Sequence, residues 1–338
     1  MEQRRIMSLG RSSLVISLPK HWVKLNELKK GDVVSIAVNR DRSLAVFPGV
    51  EKKREAKTIT LRTDPDEEAV LIVRSIIACY LNGYSKIKLV SNNIFSVAQQ
   101  KAIRNIVRVL YMRIMEANTK ETLIQTLIDE SEASVVTGIN RMYLLSSSMC
   151  HDVFSALKEQ HVTRAKAVHS IDDDVDHFSF FLLRLLRSVT VDSVLANQLG
   201  LEPIDCLDYQ ALVQKIEHVA DHATNIAKHI IMLNGRNQKI TKTLIEPLYN
   251  AGVDALKSYD EAVNAFFSKD VERSNEIIER QKQAEKLDQE LASLTFLKEK
   301  NAPIICASCS IRDSIMRITE YAADIAEITI NRFYKIVS

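Results

Sequence analysis

Apolar side chains recur at helical spacing through much of the second half of the chain, and two segments there repeat one another. Ile216–Ile230 reads IEHVADHATNIAKHI, and Ile315–Ile330 reads IMRITEYAADIAEITI. Isoleucine, valine or alanine occupy matching positions 99 residues apart, which makes an apolar stripe of helical period in each copy. Further upstream, Asp176 matches Asp288 at a spacing of 112 residues. The pattern predicts a duplicated module of about three helices.

The duplicated region is expected to form two tandem three-helix bundles, one over 130–236 and one over 240–338. Asn234-Gly235 is a typical helix stop, and it falls at the end of the first module. The helices are predicted near 130–160, 162–190, 208–233, 243–268, 271–299 and 304–336.

Residues 57–129 alternate between strand-like and helix-like patterns, which predicts a small α/β domain. Asp64-Pro65 is expected to open its first helix and Asn82-Gly83 to close it. The segment contains neither a glycine-rich phosphate loop nor a nucleophile elbow. The predicted elements are strand 58–62, helix 66–81, strand 86–90, helix 96–110 and strands 111–116 and 122–128.

Residues 1–50 alternate in short runs that predict four strands, a turn at 39–43 and one helical turn over 20–25. A domain of this size buries too little surface to hide its own apolar faces. We therefore expect it to share its core with a second copy, as a homodimer.

Composition and charge limit the class of protein. The 338 residues are 46% hydrophobic and 26% charged, which describes a globular chain, and no apolar run approaches the length of a membrane span. Five scattered cysteines favour a reducing, cytoplasmic location. The net charge of +2 hides an asymmetry, because residues 1–56 hold twelve Lys/Arg against six Asp/Glu, or +6, which leaves −4 for the rest. The basic charge of residues 1–56, the head of the chain, favours an acidic partner.

The head contains the segments GRSSLVISLPKHW (10–22) and LKKGDVV (28–34). It resembles the AbrB/SpoVT swapped-hairpin DNA-binding domain over 4–48. Lys and Arg neutralise phosphates and release counterions from DNA. The alternative is a solvated basic face on a module that only dimerises. The resemblance implies that the DNA-contacting residues are Arg4, Arg5, Arg11, Lys20 and Lys24.

Two acidic pairs lie at the edges of apolar stripes in the first module. Glu217 and Asp221 are one turn apart on the third helix, and Asp172 and Asp176 are one turn apart on the second. If these helices are neighbours, the pairs can face one another, and such a set favours a hard cation because carboxylates repel. If they do not face one another, each pair is a solvated helix edge.

The segment IEHVADHATNIA resembles the signature helix of PhoU-type phosphate-signalling proteins, and Asp172-x-x-x-Asp176 resembles the companion motif of the preceding helix. The resemblance covers about 130–335 and implies that these carboxylates hold iron, zinc or manganese. The second module departs from the motif, with Ala284 at the Asp172 place and Met316 at the Glu217 place. The metal ligands implied by the resemblance are Asp172, Asp176, Glu217 and Asp221, with Asp288 and Glu320 as a possible second site.

Together these observations predict a mainly α chain: an AbrB-like swapped-hairpin β domain, a small α/β middle domain and PhoU-like tandem three-helix bundles. Histidines 218, 222 and 229 lie on one helix face that is expected to point toward solvent, with ligation by His222 as a lesser alternative. Cys306 and Cys309, a lone Cys-x-x-Cys pair, are expected to be small packing residues.

The combination resembles phosphate-uptake regulators found in archaea, and it implies a cytoplasmic regulator that binds DNA. The alternative is an adaptor that does not contact DNA and docks on a phosphate transporter or a sensor kinase. We expect no enzymatic activity. A di-iron oxidase is disfavoured because the chain contains no Glu-x-x-His, and no set of residues has the loop signals of a hydrolase.

Overall fold

The structure is a computed structural model that describes residues 2–38, 42–49, 57–64 and 66–335. These residues form two compact units, one over 2–49 and one over 57–335. The chain is mainly helical, with small antiparallel strand pairs near its N-terminus and a long helical region after residue 134, which confirms the predicted fold class.

The first unit consists of two separate antiparallel hairpins and one short helix. The helix has the predicted bounds, and each predicted strand region contains a strand. The predicted turn falls partly on residues 39–41, outside the described residues. The elements are β1 (Met7–Leu9), β2 (Ser13–Val15), α1 (Lys20–Leu25), β3 (Val34–Val38) and β4 (Leu44–Pro48).

The first unit has no core of its own. None of its described side chains is buried, and large apolar residues stand in solvent on both hairpins. Leu14 is 72% exposed and Ile36 is 61% exposed. Each such side chain forgoes about 1.5–3 kcal/mol of transfer free energy that burial would supply.

The second unit begins with a four-stranded sheet in the order β5-β6-β8-β7, in which β5 and β6 pair in parallel and the other two neighbouring pairs are antiparallel. Ile87 and Ile124 are paired across the sheet and are buried with residues of both helices in one core. The first helix begins at Ala69 rather than at residue 66, and Pro65 lies outside the described residues. The elements are β5 (Thr58–Thr63), α2 (Ala69–Leu81), β6 (Lys86–Ser91), α3 (Val97–Val109), β7 (Met112–Ala117) and β8 (Glu121–Thr126).

Six long helices follow at the predicted places, together with one short helix that the pattern did not predict. That helix, α6, has only seven residues, so it contains no helical repeat to detect; it ends at Gly200 in the left-handed conformation. None of the helices in the described residues is long and apolar enough to cross a membrane. The helices are α4 (Val135–Glu159), α5 (Val162–Val191), α6 (Ser193–Leu199), α7 (Pro203–Gly235), α8 (Lys242–Ser268), α9 (Val271–Lys298) and α10 (Ala302–Phe333).

The repeated helices α7 and α10 pack against each other in opposite directions. Lys215 Nζ contacts Asp324 Oδ2 at 2.6 Å, and Asn225 Nδ2 donates a hydrogen bond to Ser314 Oγ at 2.9 Å. These two contacts are the same pair of positions with the repeats exchanged, because 215 corresponds to 314 and 225 to 324. The two modules are therefore related by a local twofold axis at this interface.

His222 lies close to that axis. Its ring lies 5.7 Å from the ring of Tyr321, which is its own counterpart 99 residues later. The first helices of the modules, α4 and α8, also touch: a Cβ added to Gly252 would lie 2.6 Å from the buried ring of Phe154. The apolar faces of both modules consequently meet in one continuous core.

Arg184 connects the sheet and its two helices (58–126, the sheet layer) to the long helices (135–333, the helical body). Its side chain on α5 is almost fully buried, and its guanidinium lies 4.8 Å from the centre of the Tyr80 ring. Nη1 donates to the backbone carbonyls of Tyr80 at 2.5 Å and Tyr84 at 2.9 Å, while Nε binds Glu130 at 2.7 Å. A buried guanidinium is stable only when paired in this way.

Candidate metal centre

The helical body brings the four predicted carboxylates together. Helices α5 and α7 pack along their length, with Val175 and Val219 buried between them and their neighbours. The charge of Asp221 on α7 contributes to the raised pKa values of Asp172 and Asp176 on α5. The charges of these two aspartates contribute in turn to the raised pKa of Glu217. The four side chains therefore share one electrostatic environment.

Burial and mutual repulsion raise the pKa values of Asp172, Asp176 and Glu217. Desolvation, followed by the charge of Asp221, raises the pKa of Glu217 to about 7. Desolvation and the neighbouring charge of Asp172 raise the pKa of Asp176 to about 6. The pKa of Asp172 is also raised, first by burial and then by Asp221. A proton or a cation is needed to stabilise the carboxylates in such a group.

The carboxylate cluster formed by these four side chains is reachable from solvent. Asp172, Asp176 and Glu217 are half-buried, whereas Asp221 is exposed. Lys228 on α7 partly offsets the rise in the pKa of Asp172, so a positive charge borders the Asp172 end of the cluster. An ion could therefore approach from the Asp221 side.

The donor set suits a hard cation, because it consists of carboxylate oxygens alone. Among the residues that the structure describes, however, no three or more His, Cys, Asp or Glu side chains are already arranged to hold a metal ion. The fit is thus one of chemistry and charge, and the side chains would have to rotate to coordinate an ion.

The predicted residues of the second site have different surroundings. Asp288 lies 3.3 Å from Arg312, while Glu320 lies 2.7 Å from Arg317. The charges that act on the Asp288 carboxyl are those of Arg312 and Asp313, not that of Glu320. Each of the two acids therefore forms an ion pair with its own arginine of α10 rather than a site shared with the other acid.

The expectation that three histidines of α7 face solvent is only partly correct, because each is half-buried and the side chain of His218 is 45% exposed. Their Nδ1 atoms are buried and have no hydrogen-bond partner among the described residues, and the rings of His218 and His222 lie 5.3 and 5.7 Å from that of Tyr321 on α10. Burial lowers the pKa of His222 and His229. A helical wheel of α7 alone cannot show that the second module covers this face. The 99-residue offset makes His222 and Tyr321 equivalent positions, but it does not show that the two copies pack against each other.

The five basic residues predicted to contact DNA are all exposed on the first unit. Lys20 and Lys24 are one turn apart on α1, and Arg4 pairs with Glu2 at 2.5 Å. The expected packing role of the Cys-x-x-Cys pair is wrong for Cys306, which is exposed, while Cys309 is half-buried.

Comparison with known proteins identifies the class of the helical body and then its family. A family model described as the PhoU domain matches residues 139–230 and 248–329, which together make up more than half of the chain. The chain therefore belongs to the PhoU family. A model described as "Antidote-toxin recognition MazE, bacterial antitoxin" matches residues 8–57. These matches confirm the predicted fusion of an AbrB-like head with a PhoU-like body.

Two solved structures resemble the chain. PhoU from Pseudomonas aeruginosa aligns with a TM-score of 0.52 and 18% identity over 58% of this chain and 93% of that chain. The phosphate transport system regulatory protein PhoU from Streptococcus pneumoniae aligns with a TM-score of 0.49 and 16% identity over 60% and 96%. The first of these supports the fold of the helical body. No curated protein matches the chain significantly.

The raised pKa of Glu217 predicts how stability depends on pH. Folding raises this pKa from 4.5 to about 7, so the native state binds more protons, and stability falls as pH rises through that window. In metal-free protein, Glu217→Gln should increase the free energy of unfolding at pH 8 by about 1–3 kcal/mol, and the gain should vanish toward pH 4.5. Urea unfolding with a chelator measures both values.

The matched control is Glu290→Gln, which neutralises an exposed acid of α9. It should change stability by less than about 0.5 kcal/mol at either pH. Equal effects of the two variants at pH 8 would contradict the shared electrostatic environment.

Proposed function

We propose that the chain is a regulator of phosphate uptake that binds DNA as a homodimer through its head and a metal ion through the carboxylates of its body. Membership of the PhoU family supports the phosphate-linked role. The observation that carries the head's part of the proposal is its lack of any buried side chain within residues 2–49 as described, combined with an exposed basic surface.

A second copy of the head is the natural cover for its apolar side chains. Leu14, Ile36 and Leu44 are each at least 60% exposed, and hairpins without a shared core are marginal in water. The MazE-type match over 8–57 and the AbrB-like sequence segments both support a module that forms a homodimer.

The pairing predicts a specific variant. Ile36→Glu places a charge on the apolar face of β3, so the heads should separate, because a buried unpaired carboxylate is costly. Light scattering should give a dimer for the wild-type protein and a smaller species for this variant. Ser43→Glu, near the start of β4, is the control and should remain dimeric. A monomeric wild-type protein would contradict the proposal.

Dimerisation would double the basic surface. Each head presents Arg4, Arg5, Arg11, Lys20 and Lys24, so a dimer would offer ten cations to a duplex. Affinity from such contacts falls steeply with salt, with a slope of about 0.9 per neutralised phosphate on logarithmic axes.

The DNA contact is tested by fluorescence anisotropy with a random-sequence duplex over a range of salt concentrations. The double variant Lys20→Ala/Lys24→Ala should weaken binding at every salt concentration and reduce the slope by about 2–4 per dimer. The control Lys239→Ala/Lys242→Ala removes the same charge from exposed sites on the body and should leave the slope unchanged.

Failure of the wild-type protein to bind at low salt would sink the DNA-binding role. The alternative, an adaptor that docks on a phosphate transporter or sensor kinase, would then be favoured, with the head serving only to dimerise.

The body's part of the proposal rests on the charge of its carboxylate cluster. Asp172, Asp176, Glu217 and Asp221 would supply oxygen ligands to iron, zinc or manganese, whereas Asp288 and Glu320 are each paired with an arginine and are left out of the proposed site. A bound cation would neutralise the repulsion that raises the pKa of Glu217 and Asp176. We assign this cluster a regulatory rather than a catalytic role. The helix that carries its two aspartates also carries Arg184, which fastens the sheet layer.

A further inference from the structure

The second module contains a cavity that the proposed function does not use. It lies between α8, α9 and α10 and has a volume of about 250 Å³. Its apolar lining includes Leu248, Ile315 and Met316, and its charged lining includes Lys257, Arg312 and Asp288. The volume suits a small organic molecule.

The cavity occupies the place that corresponds to the carboxylate cluster of the first module. Ala284 stands at the position equivalent to Asp172, and Met316 at that equivalent to Glu217. Arg312 replaces a buried valine of the first module, Val213. Two acids have thus been exchanged for small or apolar side chains, and a guanidinium has been added, which reverses the preference for a cation.

Arg312 has unused hydrogen-bonding capacity. Its Nη1 contacts the Asp288 carboxylate at 3.3 Å and donates to the Asp288 backbone carbonyl at 3.2 Å. Its Nε is buried and has no hydrogen-bond partner among the residues that the structure describes. A buried donor without a partner is destabilising, and an acceptor in the cavity would relieve this if the guanidinium turned to meet it.

The other charges of the lining favour one negative group rather than several. Lys257 forms no ion pair within the described part of the chain, whereas Arg280 is already paired with Glu261. Asp254 and Asp288 also line the cavity and disfavour a ligand of high negative charge. The remaining surface is mostly aliphatic and suits an apolar body.

We propose that this cavity binds a small organic monoanion, in which one oxyanion meets Arg312 and a compact apolar body packs against the aliphatic lining. The site is independent of the proposed metal and DNA contacts, because none of its residues belongs to the head or to the first carboxylate cluster. In this chain the duplicated modules have acquired ligands of opposite charge.

The test uses cyclohexanecarboxylate and the neutral cyclohexylmethanol as probes of matched shape. Titrations by saturation-transfer NMR should show saturable binding of the carboxylate to the wild-type protein, at least about tenfold tighter than that of the alcohol. Arg312→Met should weaken carboxylate binding at least about tenfold and leave the alcohol unchanged. Arg317→Met, which changes an exposed arginine five residues further along α10, is the control and should change neither.

Two further variants separate charge from shape. Asp288→Asn removes the competing carboxylate and should tighten binding of cyclohexanecarboxylate. Ala284→Phe fills the cavity and should abolish binding of both probes while the circular dichroism of the body is retained. Absence of saturable carboxylate binding to the wild-type protein, or equal affinity of the Arg312→Met and Arg317→Met variants, would overturn the proposal. Neither result bears on the DNA or metal contacts.

Discussion

The antiparallel packing of α7 on α10 is the constraint on which the rest of the body depends. A three-helix module with apolar residues on more than one face cannot hide them alone, and its repeat supplies the matching surface. Because the two copies meet about a local twofold axis, His222 rests on its counterpart Tyr321. Helix α10 packs against one side of α7 and α5 packs against another. The carboxylates at the facing edges of α5 and α7 therefore lie close together.

Duplication also explains why the two modules differ in chemistry. The core positions of both copies are restrained by shared packing, whereas residues at the edge of each stripe are free to change. In the first copy these edges hold a dense group of acids. In the second, Ala284 and Met316 open a cavity beside Arg312. One scaffold therefore presents a group of acids in one module and a cavity in the other, and α5 connects the acids to the sheet layer through Arg184.

Periodicity predicted the six long helices and the sheet layer because each has enough turns or alternations to leave a pattern. It did not reveal α6, which is too short, nor the contact of His218 and His222 with Tyr321, which depends on how the second module packs against the first. The carboxylate cluster could be anticipated because both pairs lie at stripe edges. The cavity could not, since an empty volume depends on how three helices diverge rather than on any one residue. The role of the head's exposed apolar faces stays a prediction.

The carboxylate cluster is tested most directly by calorimetric titration of the metal-free protein with Mn²⁺ at pH 7, in buffers of different ionisation enthalpy. A pKa of about 7 leaves Glu217 half-protonated at this pH, so a cation that enters the cluster must displace that proton. We expect one tight site whose apparent heat varies with the buffer, corresponding to release of roughly half a proton per ion, and rising as the pH is lowered. Binding heats that are identical in every buffer, or no Mn²⁺ binding at all, would contradict a shared carboxylate site.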